Sequence, residues 1–257
     1  MLRDHNYDDL VTETLGHATA ATALIALSLK FRGAITLQIQ RGRGLQMLVV
    51  QCTSGLELRG MALADSQGKA ANFSELTRDA HCAVTVDSGD RPYQGIVEVS
   101  DASLAASLEH YFVRSAQVPS HIVLVANDEM AGGILLQQMP GEAIDDDDWN
   151  RLHYLSKTLV DKDFHDGGGL QLIGRLFAED DVRVYKPRRV RFRCRCTARK
   201  TEDVLKMLGE AEAREALEEQ GQIEVICEYC GRRRQFDAVD IERLFASNVV
   251  VGPESVQ

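Results

Sequence analysis

Hydrophobic positions follow two different rhythms along the first 140 residues, and each change of rhythm marks a new element. Between residues 8 and 31, Ala18, Ala20, Ala21, Ala23, Leu24, Ala26, Leu27 and Leu29 make an apolar, close-packing helix that Gly33 ends. The next segment, Ala34-Ile-Thr-Leu-Gln-Ile-Gln40, alternates with period two and sets Ile35, Leu37 and Ile39 on one face of a strand. Arg41-Gly-Arg-Gly44 reads as a hairpin turn, and Leu45–Cys52 and Leu56–Ala64 continue a meander. Phe73–Arg78 reads as a short helix, and the strands Cys82–Asp87 and Tyr93–Val99 pair around the turn Ser88–Pro92. Leu104–Ser115 is amphipathic and takes Ser103 or Asp101 as its cap. Ile122–Ala126 and Ile134–Met139, with Gly132-Gly133 between them, are expected to finish the sheet. Strands and helices alternate without βαβ regularity, so residues 1–140 are expected to form an α+β core domain of mainly antiparallel sheet.

The pattern changes at Pro140. Four consecutive acids, Asp145 to Asp148, suit the first turn of a helix that runs to about Asp161. His165-Asp-Gly-Gly-Gly169 interrupts the chain, Leu170–Phe177 is a further short helix, and Arg183–Phe192 reads as extended. Residues 141–190 are thus expected to be a helical linker that needs the first domain to pack on. Residues 191–257 form a third block, with helices over Thr201–Leu208 and Ala211–Gln220, a strand Ile223–Ile226, and a final helix capped by Asp237 and reaching about Ala246.

That last block carries the candidate chemistry. Cys194 and Cys196 are followed, after thirty intervening residues, by Cys227 and Cys230 with Gly231 behind them. Four thiolates in two close pairs suit one tetrahedral Zn²⁺. In extended chain, residues i and i+2 face the same side, so Cys194 and Cys196 can reach one metal together. Oxidation could instead close two local disulfides and expel the metal. A small module that cannot bury enough core by itself gains from a metal staple. Seven arginines, at 191, 193, 195, 199 and 232–234, offset the thiolate charge and would favour reactive sulfurs in a redox sensor. From the residues alone, staple and sensor both stay open, with the staple the commoner case.

Composition narrows the classes. The chain has 257 residues, 44% hydrophobic and 26% charged, with a formal net charge of −10. A globally acidic chain is a poor starting point for a nucleic-acid binder, although the basic stretch 186–200 beside a zinc ribbon is the alternative reading, in which it would contact phosphate backbones. No run of about 18 apolar residues predicts a membrane span, and the N-terminus lacks a basic-then-apolar signal pattern. A soluble, cytoplasmic protein with reduced thiols is expected. Cys52 and Cys82 sit in apolar strand-like runs and read as packing residues, while His81 should face away from Cys82. Seven scattered histidines and two glycine-rich turns assemble no catalytic constellation, so an enzyme is not expected. Cys227-Glu-Tyr-Cys230 also lacks the strand-then-helix setting of a thiol oxidoreductase.

The sequence around the cysteines resembles the 33 kDa chaperonin family, the redox-regulated heat-shock holdases of bacteria. The residues that carry it are Phe192-Arg-Cys-Arg-Cys196, the run from Glu218 through Ile226-Cys-Glu-Tyr-Cys-Gly-Arg232, and Phe236-Asp-Ala-Val-Asp240. Upstream, Ala21-Thr-Ala23 with Leu29-Lys-Phe31, Tyr93-Gln-Gly95, Leu108 to Pro119 and Ala131-Gly-Gly-Ile-Leu-Leu-Gln137 look like that family's core domain. Members usually carry further residues before the position matching Met1, including a first strand, which implies an open sheet edge or a start lying further upstream. The resemblance implies one Zn²⁺ held by Cys194, Cys196, Cys227 and Cys230 in a folded, weakly active reduced form. It implies that peroxide or hypochlorite, with heat, forms the disulfides Cys194–Cys196 and Cys227–Cys230 and releases the zinc. The cysteine domain and linker would then unfold and expose apolar surface that holds unfolding client proteins without ATP. A homodimer could form in the oxidised state, and nucleic acid is not an expected partner.

Overall fold

The computed structural model describes residues 5–65, 70–89, 92–100, 102–139, 141, 144–165 and 168–246. Asp101, Pro140 and Gly167, which the pattern above used as a cap, a boundary and a loop, lie outside them. The chain divides into a larger unit through Arg193 and a smaller one from Cys194.

The larger unit starts with α1 (Asp9–Ser28), β1 (Ala34–Gln40), β2 (Leu45–Thr53), β3 (Glu57–Ala64) and α2 (Phe73–Leu76). It continues with β4 (His81–Asp87), β5 (Tyr93–Val97), α3 (Leu104–Arg114), β6 (Ser120–Ala126) and β7 (Ala131–Gln137). Three helices, α4 (Asp146–Lys157), α5 (Asp161–His165) and α6 (Gly168–Leu176), lead to the short strand β8 (Arg191–Phe192). Six strands form one sheet in the order β5-β4-β1-β2-β3-β8, antiparallel except where β8 runs parallel to β3. Period-two patterning sets the register. Ile35 lies between Cys52 and Val86, Leu37 between Val50 and Val84, and Ile39 between Leu48 and Cys82. Ile35, Leu37 and Ile39 are fully buried, because one face of the sheet closes on the core.

β6 and β7 form a separate two-stranded sheet and do not extend the large one. The α1 helix packs against β2 and β3 and also against β6 and β7, so it joins the two sheets. By length and composition α1 could cross a membrane. Here Val11, Leu15, Ala18, Ala21 and Ile25 are buried in the core cluster, so α1 is a core helix. The hydroxyls of Thr14, Thr19 and Thr22 donate to the carbonyls of Leu10, Leu15 and Ala18, which lets polar residues sit in this helix without unpaired groups.

Gly132 and Gly133 do not form the turn between β6 and β7; both lie inside β7, and residues 127–130 make the connection. The reason is close packing. A Cβ on Gly133 would stand 2.5 Å from the Val123 carbonyl oxygen, and one on Gly132 would stand 2.9 Å from the Phe164 ring. The acid-led helix ends at Lys157, not Asp161, and Thr158 closes it. Of the segment expected to be extended, only Arg191–Phe192 pairs with a neighbour.

Gly16 offers a direct test of this packing. A Cβ there would lie 2.4 Å from the Ala126 Cβ of β6. Alanine gains up to about 1 kcal/mol of helix propensity over glycine, but overpacking a fixed core costs about 1–3 kcal/mol. Gly16→Ala should therefore lower the urea midpoint of the larger unit with an unchanged slope. A raised midpoint would show that α1 can shift freely on β6.

The smaller unit contains α7 (Ala198–Leu208), α8 (Glu210–Gln220), β9 (Ile223–Ile226), β10 (Arg233–Phe236) and α9 (Ala238–Ala246). Its described core is five buried residues, Leu205, Ala213, Ile223, Ile241 and Leu244. The pairing of β10 with β9 adds a hairpin that the alternation of Arg233-Arg-Gln-Phe236 conceals, since only the last residue of that strand is apolar.

Candidate metal centre

The β9–β10 hairpin presents one cysteine pair. Ile226 opposes Arg233 at its end. Beyond it, the Cys227 amide donates to the Arg232 carbonyl at 3.0 Å, while the Cys230 and Gly231 amides donate to the Cys227 carbonyl at 3.2 and 2.8 Å. Gly231 has a φ of 61°, the left-handed conformation that glycine adopts without steric cost. This knuckle holds both sulfurs on the same side of the turn. The other pair lies in irregular backbone leading into α7. Thr197 caps that helix, accepting a hydrogen bond from the Lys200 amide at 3.2 Å, so the positive end of α7 directly follows Cys196.

The four Sγ atoms all lie within 4.8 Å of one another. The shortest approaches run between the pairs, at 3.6 Å for Cys194–Cys227 and 3.5 Å for Cys196–Cys230. Zn–S bonds of about 2.3 Å in a tetrahedron require S–S edges of about 3.8 Å. All four cysteines are half-buried, free thiols. Burial, reinforced by the neighbouring sulfurs Cys230, Cys194 and Cys227, pushes Cys196 up to about 12. Sulfurs this close cannot share negative charge without a cation among them, so the geometry and the donor chemistry both fit a soft divalent metal. The four cysteines could hold a metal ion, and among the described residues no other group of three or more His, Cys, Asp or Glu side chains converges in this way.

The arginines that neighbour the cysteines in sequence are not all free cations. Arg191 and Arg193 each donate to the same Glu57 oxygen at 2.6 Å, and Arg188 donates to the Ser54 carbonyl at 3.2 Å. Arg233 pairs with Glu224 at 3.2 Å. Glu57 is the shared acceptor of both guanidinium groups, a role that the amino-acid pattern does not show. Its carboxyl is held below the usual carboxylate range by hydrogen bonds from Arg193 and then Arg191. It fixes β8, whose flanking amides Arg191 and Arg193 donate to Leu56 and Leu58 at 3.1 and 2.8 Å, immediately before Cys194. A single acid at a strand start gives no signal in sequence; only the parallel register with Arg-x-Arg reveals it. Because the depressed group supports docking fully above the ordinary glutamate range, docking should weaken as pH falls from that range through the lower docked value. Glu57→Gln should speed amide exchange at Arg191 and Arg193 by roughly two- to fivefold, in keeping with an exposed ion pair. Unchanged exchange would assign the docking to the backbone bonds alone.

Cys52 and Cys82 are buried in strands, as expected for packing residues, and burial pushes their thiols up to about 11 and about 12. His81 is exposed and faces away from Cys82. The histidines are less scattered than their spacing suggests: His121 on β6 stacks with Trp149 of α4 and meets the tilted ring of His153 on the same helix.

Comparison with known proteins agrees with this architecture. A family model described as Hsp33 protein matches residues 1–237. A 33 kDa chaperonin of Methylobacillus flagellatus is 37% identical over 261 residues, covering 100% of this chain and 89% of that protein. Another, from Nitrosococcus oceani, is 39% identical over 250 residues, covering 97% and 86%. The crystal structure of a 33 kDa chaperonin from Thermotoga maritima matches the fold with a TM-score of 0.77 at 23% identity, covering 93% of this chain and 87% of that one. With a family model spanning nearly its whole length and relatives of this identity along it, the chain belongs to the Hsp33 family.

Proposed function

We propose that this protein is a redox-regulated, ATP-independent holdase chaperone that binds unfolding proteins under oxidative and heat stress in the cytoplasm. The observation that carries the reading is the convergence of four sulfurs within 4.8 Å in a unit whose described core is only five buried residues. Too little apolar surface is buried there to fold such a unit unaided. Cys194, Cys196, Cys227 and Cys230 are the ligands in this reading, and residues 1–140, 141–190 and 191–257 act as core, linker and switch. When bound, Zn²⁺ would hold the sulfurs as thiolates and tie the Cys194–Cys196 segment ahead of α7 to the turn between β9 and β10.

The residues then carry out the switch. One thiolate attacks the O–O bond of peroxide and becomes a sulfenic acid, and the hydroxide that leaves takes a proton from solvent. Its neighbour thiolate attacks the sulfenic sulfur, expels that oxygen as a second hydroxide that also takes a solvent proton, and closes the disulfide. Two disulfides, Cys194–Cys196 and Cys227–Cys230, use four thiolates and pass four electrons to two peroxides, leaving no thiolate ligand. The smaller unit loses its cross-link and unfolds. The linker loses support, and apolar surface becomes available to clients.

Light scattering of a heat-unfolding client tests this. The peroxide-treated protein should suppress aggregation, the reduced zinc-loaded protein should not, and a thiol reductant should restore the inactive state. If neither form protects and the protein binds random-sequence RNA in a salt-dependent way that peroxide does not alter, the zinc-ribbon reading of residues 186–200 takes its place.

A further inference from the structure

His121 of β6 and His153 of α4 face each other with ring centroids 3.7 Å apart, and the single tryptophan, Trp149, stacks on His121 at 4.6 Å. Both ring nitrogens of His121 and the Nδ1 of His153 are buried without a hydrogen-bond partner. The contact between α4 and β6 is small, and this aromatic cluster is at its centre. We propose that His121 and His153 form an acid-released latch: neutral rings hold α4 on β6, and proton uptake in mildly acid conditions frees the helix without any oxidation.

Two neutral imidazoles pack together at this distance, whereas two imidazolium ions there repel in a half-buried site where neither ring's Nδ1 finds an acceptor. From α4, Lys157 adds a second positive charge that opposes protonation of both rings. Asp148 and Arg151 of α4 pair with each other, and Arg151 also pairs with Asp180. From α3, Glu109 approaches His121 Nδ1 at 3.9 Å, too far for a hydrogen bond. Its carboxylate instead accepts from the Ile122 amide at 2.6 Å. β7 has no charged side chain, and Leu136 opposes His121 there. On α1, His17 interacts with Glu13 and Asp161. Among the described residues Glu109 is thus the one carboxylate within 4 Å of either imidazole, and its charge favours protonation of His153 less than burial and Lys157 oppose it.

Burial, then His153, then Lys157 hold His121 down at about 4. A group whose docked value is lowered supports docking fully above the ordinary histidine range, near 6.5, and loses that support as pH falls toward about 4. Each ring protonated only after release shifts the equilibrium toward release by up to about tenfold per pH unit within that window. His153 moves in the same direction, with burial first and Lys157 next.

Trp149 reports on the latch by itself, being the only tryptophan. In the reduced, zinc-loaded protein its emission maximum should move to the red between pH 7 and pH 5. The double variant His121→Phe/His153→Phe should keep its blue emission over the same range. Proton NMR of the unmodified protein supplies a check that needs no variant, and both imidazoles should titrate below the ordinary histidine range. Quenching without a red shift would mean protonation without release and would overturn the latch. So would a red shift that persists in the double variant, or either imidazole titrating at or above 6.5. That the freed surface holds clients rests on the holdase reading. Light scattering at pH 5.5 reads it separately, because a red-shifted protein that fails to hold client counts against the holdase and not against the latch.

Discussion

Cys227→Ser unfolds the smaller unit and leaves the larger one with its own cooperative transition. Serine is nearly isosteric with cysteine, so packing changes little; the loss is a thiolate ligand. Apparent binding free energies of structural zinc in small modules are about 10–16 kcal/mol and are in effect folding free energy. That equals or exceeds the whole stability of an ordinary domain, about 5–15 kcal/mol. The five buried residues Leu205, Ala213, Ile223, Ile241 and Leu244 cannot replace it. The knuckle would suffer directly, since the Cys227 backbone joins β9 to β10 through Arg232, Cys230 and Gly231. Amide exchange reads the result site by site. Protection over 198–246 should vanish, zinc content should fall to zero, and protection along β1 and β2 should stay. A strong zinc chelator should reproduce the same state in the unmodified protein. Cys52→Ala, in the core of the large sheet, makes the contrast, because it should lower the first transition and leave zinc content alone. Persistent protection over 198–246 in the serine variant would make the hydrophobic core, not the metal, the source of that unit's fold.

Local chemistry was legible in the sequence wherever one short segment determined it. Strand β1 shows its inward face through Ile35, Leu37 and Ile39 because alternation needs no partner to be read. Ser103 reads as a cap for the same reason, and its side chain accepts from the Ala106 amide at 3.1 Å. The cysteine spacing foretold the cluster because each pair is held within a few residues of backbone. What stayed hidden depended on long-range register. Gly132-Gly133 reads as a turn unless one knows that Leu24, Val123 and Phe164 crowd β7. Glu57 gains its role only when β8, 134 residues later, lies alongside it. His121 and His153 have no metal or catalytic spacing, and they meet because α4 folds back onto β6.

Oxidation should join neighbours in sequence, Cys194 to Cys196 and Cys227 to Cys230, even though the nearest sulfurs in the folded cluster are the cross-pairs at 3.6 and 3.5 Å. Within the cluster all sulfurs are close, so distance there selects poorly. The order of events selects instead. Once the first disulfide removes two ligands the metal is lost, and the remaining thiolates search for a partner in a loosening chain. Effective concentration falls as roughly the −3/2 power of the intervening length. Neighbours lie two or three residues apart and cross-pairs 33 or 34, which favours local closure by roughly 40- to 70-fold on that scaling. Ring strain in Cys-x-Cys works against the first of these bonds and makes it the easier to reduce, which suits reversal by a thiol reductant. Alkylation of residual thiols at low pH, followed by peptide mapping without reduction, counts each species. Local disulfides should dominate, with the 194–196 bond reopening first on titration with reductant. Predominance of Cys194–Cys227 and Cys196–Cys230 would mean that oxidation traps the folded cluster. Two covalent staples would then replace the metal, the smaller unit would stay folded, and exposure of client-binding surface by this route would fail on physical grounds.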